Sequence, residues 1–236
     1  MTPATRIYVG AVIAAGALLV AAFSPRELAN PALALTWLAA MIVVSLFKLR
    51  VPLGRGPSTM SMAYVIDFAV IVTAGAALAI VIAAAGVLVQ CTVRASRRQP
   101  WYRTAFSVAA VMLAVQAAAT VWVALGGTLT APGIQMTAIP LAASALTYFV
   151  VNSGLVAAAI ALSNRASLLA TWTPAFVRTM PAYLIAAGAG AAIPMLLARE
   201  VWLLAPFALI PIACHLAYAA WFRRLAPRGA TAPALL

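Results

Sequence analysis

The basic residues of this chain fall almost entirely between long apolar runs, and they gather on alternate sides of those runs. A chain that crosses a bilayer repeatedly sorts its charge in this way, because short loops rich in Lys and Arg are retained on the cytoplasmic side. Composition closes off the soluble alternative. Hydrophobic residues make up 66% of the 236 positions and charged residues 8%, whereas a soluble domain carries about 25% charge. The net charge of +12 sits in short interhelical loops, where anionic lipid and cytoplasmic retention account for it, so no nucleic-acid partner is expected. Cys91 and Cys214 lie inside apolar runs without a CxxC partner and read as small buried hydrophobes.

Residues 7–23 and 32–49 each have about the length needed to cross a hydrocarbon core about 30 Å thick. From 58 to 93 the apolar character is nearly continuous, and one helix of that length, at 1.5 Å per residue, would reach about 50 Å, well beyond the bilayer. A break is therefore expected around Gly75. It gives a short third helix through Asp67 and a fourth over 77–93, joined by a tight turn at one membrane surface. Later spans are expected over 104–125, 140–162, 181–198 and 201–222. The expected fold is all-α: a polytopic transmembrane bundle of about eight helices over 1–224, N-in and C-in, with a short cytoplasmic tail over 225–236.

Positive charge tests the split at Gly75, because one helix more or fewer reverses the side on which everything upstream lies. With eight helices, thirteen of the fifteen Lys and Arg residues are cytoplasmic, and only Arg26 and Arg199 lie outside. With the 58–93 region as one helix the distribution falls to ten against five. Arg26 and Arg199 also each have an acidic neighbour, Glu27 and Glu200. The first helix has a second reading as a secretory signal, since Arg6 precedes the apolar stretch and Val20-Ala21-Ala22 loosely resembles a cleavage site. Two segments look interfacial: 51–61, rich in Gly and Pro, and 168–180, a short amphipathic helix bearing Trp172, Phe176 and Arg178.

Polar residues inside the spans are candidates for function or for helix contact, since each is costly in lipid. Asp67 stands first, as the only acidic residue in an expected span. An unpaired carboxylate there needs a proton or a partner, so it is either a capped structural group or a ligand-, cation- or proton-responsive site. Asn152 and Ser153 lie near the midpoint of the sixth span and Gln116 near that of the fifth, at depths where all three can converge with Asp67. Each is also ordinary interhelical glue, contributing about 0.6 kcal/mol in a membrane bundle. His215, the single histidine, is a candidate pH-responsive group or a satisfied buried histidine.

Catalysis is not expected. Asn152-Ser153-Gly154 raises an intramembrane protease with His215 as base, but the GxSG pattern needs Gly where Val151 stands. Three acidic residues and one histidine cannot build the carboxylate pairs or ligand sets of metal, glycoside or phosphoryl chemistry, and no phosphate-binding loop is present. No cofactor and no metal are expected. The run from Ala186 to Ala192 presents small residues on every face of the seventh helix, which suits close packing or a pliable pocket. Pro194, Pro206 and Pro211 would kink the last two spans.

The run Pro52-Leu53-Gly54-Arg55-Gly56-Pro57-Ser58-Thr59-Met60-Ser61, followed by Asp67-Phe68 and the break at Gly75, resembles the membrane-embedded sensor modules that precede HD-GYP and GGDEF signalling domains. The stretches Arg97-Arg98-Gln99-Pro100-Trp101-Tyr102-Arg103-Thr104-Ala105-Phe106-Ser107 and Val151-Asn152-Ser153-Gly154-Leu155-Val156-Ala157 resemble the basic loop and the N-[ST]-G-L-V helix of those modules. The resemblance covers 51–224 and implies signal reception by the bundle, passed to a cytoplasmic output. Only fourteen residues follow Phe222, with neither an HD pair nor a GGDEF sequence, so the chain is expected to be either a sensor-only protein or a fragment of a longer one; acting alone, it would pass its signal to a separate partner through the basic loop over 94–103.

The bundle also resembles the substrate-binding component of vitamin transporters, which makes transport with an energising subunit the competing class. A scaffold without ligand is the third. The expectation is a plasma (inner) membrane protein, non-enzymatic, that meets the lipid bilayer, a small-molecule or lipid ligand and a cytoplasmic signalling protein. Its candidate ligand-binding residues are Asp67, Gln116, Asn152 and Ser153.

Overall fold

With no water to serve backbone N–H and C=O groups, an apolar run of this length satisfies them within its own segment by forming a helix. The computed structural model describes residues 2–23, 30–46, 48–53, 56–61, 63–93, 100–128 and 134–197. Helix α1 is Pro3–Phe23 and α2 is Pro31–Leu46. A hairpin of β1 (Lys48–Leu53) and β2 (Gly56–Ser61) follows, then α3 (Tyr64–Thr92), α4 (Trp101–Ala124) and α5 (Ile134–Asn164). A short α6 (Leu168–Phe176) runs through a 3-10 turn, Val177–Thr179, into α7 (Met180–Leu197). Among the described residues, α1, α3, α4 and α5 are long and apolar enough to cross a membrane, while α2 and α7 are apolar but shorter. The expected span over 201–222, His215, the tail over 225–236 and most of the basic loop lie outside the described residues.

The 48–61 region departs from expectation. The second span was expected to run to Leu49 and the third to begin at Ser58, but Lys48 pairs with Ser61 and Leu49 with Met60 in an antiparallel ladder. Pro52 and Pro57 explain the change. Neither can donate a ladder or helix hydrogen bond, and they sit opposite each other next to the hairpin's tip, where that loss costs least.

Gly75 breaks α3 where the length argument placed the break. Its backbone (φ 79°, ψ 179°) interrupts an otherwise helical run, separating 64–74 from 76–92 by a kink rather than by a loop. This is a conformation that only glycine adopts without strain. Gly75→Ala is expected to destabilise the protein by roughly 1–3 kcal/mol, although the added methyl would meet nothing within 4 Å. Gly154→Ala, in α5 with equally open surroundings, is the control expected to cost nothing. Reversible unfolding of both variants in mixed micelles measures the difference.

Helix α3 lies at the centre, against α2, α4 and α7, while α5 packs on α4, α6 and α7 and α1 lies across α4. Phe68, Val70, Ile80 and Ile82 of α3 are buried together with Met41 of α2 and Val115 of α4. Tyr8 fastens α1 by donating to the Leu155 carbonyl at 3.1 Å. On the outer surface Ile7, Leu18, Trp101, Val123, Ile139 and Leu169 are each more than two-thirds exposed, an apolar exterior that suits lipid and not water. The small-residue run of α7 packs as its composition suggested. Gly190 lies against the backbone of α3 at Val65 and Ala69, so the two helices meet at a separation that a side chain would prevent.

Candidate functional site

The first turns of α3 carry Tyr64, Asp67 and Phe68, spaced i, i+3 and i+4 and therefore on one face. All three are buried, Asp67 at 2% exposure. That face meets α5 and α7. Tyr148 of α5 donates its hydroxyl to Asp67 Oδ2 at 2.7 Å, and the Phe68 ring lies 5.5 Å from the Tyr148 ring, centroid to centroid. Tyr183 of α7 stacks on Tyr64 at 4.7 Å and 15°, and its ring lies 5.7 Å from that of Tyr148. The carboxylate is thus set in a cluster of aromatic rings drawn from three helices.

One carboxylate oxygen has no place in this arrangement. Asp67 Oδ1 is buried and has no hydrogen-bond partner among the described residues, although a buried carboxyl oxygen without a donor is costly. Two other buried atoms share that condition among the described residues, Trp37 Nε1 and Gln116 Oε1, but neither carries a formal charge. Arg6, Arg103 and Arg165, the arginines whose side chains are described, are all exposed and stand outside the buried cluster.

A second chain of contacts leads outward from the cluster. Asn152, one turn beyond Tyr148 on α5, donates from Nδ2 to the Tyr183 hydroxyl at 3.2 Å. Phe149 meets Tyr183 edge-on at 5.4 Å and Trp172 of α6 at 5.8 Å. Trp172 Nε1 donates to Ser153 Oγ at 2.8 Å, and the Ser153 hydroxyl donates to the Phe149 carbonyl one turn back. The serine proton therefore points to a backbone oxygen, and the side chain serves as a bridge between α5 and α6.

Of the residues singled out in the sequence, Asp67 and Asn152 reach the same aromatic cluster, and Ser153 joins it through Phe149 and Trp172. Gln116 does not. Its amide donates to Thr120 Oγ1 at 3.2 Å on its own helix, and no hydrogen bond ties it to Asp67. His215 falls outside the described residues. The rings of Tyr64, Phe68, Tyr148, Phe149, Trp172 and Tyr183 were not singled out as site residues. For three of them a signal was present, since Tyr64 lies one helical turn from Asp67, Tyr148 from Asn152 and Phe149 from Ser153, but an aromatic in an apolar run is equally a packing residue.

Comparison with known proteins gives no further guide, since no family model, no curated protein and no solved structure matches the chain.

Proposed function

We propose that this is a multi-pass plasma-membrane protein of about eight helices, N-in and C-in, whose bundle binds a small ligand at Asp67 and passes its occupancy to a cytoplasmic partner or output domain. It carries out no catalysis of its own. The observation that carries this reading is Asp67 Oδ1: a buried carboxylate oxygen without a donor among the described residues, on a carboxylate whose other oxygen is held by Tyr148. A purely structural aspartate at such depth is expected to have both oxygens satisfied, because lipid offers no water to make up the shortfall. The contacts from Tyr183 through Phe149 to Trp172 supply a packed route from Asp67 to α6. That short helix lies along the membrane surface in this reading and so sits within reach of a partner.

Native mass spectrometry of the gently purified protein tests the proposal, with wild type beside Asp67→Asn. A discrete adduct retained by wild type through detergent exchange and lost in the variant is the expected result. Absence of any adduct in both, with unchanged thermal stability in the variant, would return Asp67 to a structural role. Transport is the second reading, favoured by the kink at Gly75, because interrupted membrane helices line the binding sites of many transporters. A ligand identified in this way and sealed into proteoliposomes decides between them: a receptor binds it without moving it across, while a transporter shows saturable flux.

A further inference from the structure

We infer that the ligand held at Asp67 is an alkylammonium, an amine in its protonated form, seated with an N–H on Asp67 Oδ1 and its charge against the tyrosine rings. This rests on the reading of Asp67 as the centre of a ligand site and adds the chemical class of the occupant.

Three features of the site select that class. The vacant oxygen of Asp67 can accept, so the partner must bring a donor, and a cationic donor gives the shorter, stronger bond. The surroundings contain no compensating charge of their own among the described arginines, all of them exposed. A carboxylate in a low-dielectric interior is strongly stabilised by a cation close to it, so an anionic ligand is disfavoured and a neutral one adds no such stabilisation. The rings of Tyr64, Phe68, Tyr148 and Tyr183 surround the same face of α3, and the electron-rich faces of such rings attract ammonium groups. Quaternary ammonium would use the rings but has no N–H for Oδ1. The pairing of a vacant carboxylate oxygen with an aromatic cluster therefore favours amines that retain a proton on nitrogen.

Tyr148 is a positioning residue in this scheme. Its hydroxyl occupies Oδ2 and so leaves Oδ1 as the acceptor available to the ligand. The stack of Tyr64 on Tyr183 joins α3 to α7, and admitting an alkyl chain between these rings would shift α7 relative to α3. Ligand arrival would in this way become a helix movement.

The test follows the thermal unfolding midpoint of the full chain in detergent at constant ionic strength, against n-butylammonium, tetramethylammonium, n-butanol and n-butyrate. The expected result is a saturable upward shift with n-butylammonium, an apparent affinity at least about tenfold weaker for tetramethylammonium, which lacks the N–H, and no shift with the alcohol or the acid. Asp67→Asn, which keeps the shape and removes the charge, is expected to abolish the n-butylammonium response. If that variant does not fold, the four probes on wild type decide the matter. No response to n-butylammonium, or an equal response in wild type and Asp67→Asn, overturns the inference. A response to n-butanol or n-butyrate that needs Asp67 overturns the ammonium class yet leaves the ligand-binding reading standing, whereas failure of that reading shows separately as the absence of any retained adduct.

Discussion

Gly190→Ala is expected to destabilise the bundle more than any other single-methyl addition in α7. A Cβ at this position would sit 2.5 Å from the Val65 carbonyl oxygen, 2.8 Å from Phe68 Cβ and 2.9 Å from the Ala69 nitrogen. Two of those atoms are backbone and cannot rotate away, so α7 must lift from α3. Overpacking of this kind costs roughly 1–3 kcal/mol, and in lipid, where close van der Waals contact holds helices together, little offsets it. The consequence reaches the site. Tyr183 rides on α7 while its stacking partner Tyr64 sits on α3, so separating the helices pulls apart the ring cluster as well as the Asn152 hydrogen bond. Gly188→Ala, at an exposed position with nothing within 4 Å, is expected to leave the unfolding midpoint unchanged. A comparison of the two in mixed-micelle unfolding separates loss of contact from change of helix propensity.

Tyr148→Phe carries the second large effect. It removes the one donor that reaches the Asp67 carboxylate among the described residues while keeping the ring against Phe68 and Tyr183. Stripping a buried polar group of its partner costs roughly 1–3 kcal/mol. The same substitution in an Asp67→Leu background is expected to cost only a few tenths of a kcal/mol, since no carboxylate then remains to be abandoned. The double-mutant cycle thus isolates the Tyr148–Asp67 coupling, expected at roughly 0.5–3 kcal/mol. A coupling near zero would mean that the hydroxyl contributes nothing to holding the carboxylate.

Much of the helical layout was legible in the sequence, because hydrophobic length and the cost of exposed backbone in lipid are both properties of a linear string. The break at Gly75 followed from a run too long to be one crossing helix that contained a residue able to turn. The hairpin at 48–61 was not foreseen, since hydrophobic content extends a run without stating its period, and the force of Pro52 and Pro57 against a helix was read only as an interfacial irregularity. Asp67 was legible as a residue to explain because an acid within an apolar run must be either a capped structural group or a site. Its aromatic surroundings were not, because they depend on which faces of α3, α5 and α7 meet, and that is a tertiary fact. Gln116 shows the same limit from the other side. Depth along a helix axis is only a condition for convergence; direction around the axis decides contact, and the amide of Gln116 turns to Thr120.

The sequence contains a single aspartate, so protein labelled with carbon-13 at the aspartate carboxyl reports on Asp67 alone. One carboxyl resonance is expected, moving in Tyr148→Phe and shifting saturably as n-butylammonium is added to wild type. A resonance at the position of a water-exposed aspartate, indifferent to both the Tyr148 substitution and the amine, would contradict the claim that Asp67 is a buried carboxylate held on one oxygen and open to a ligand on the other.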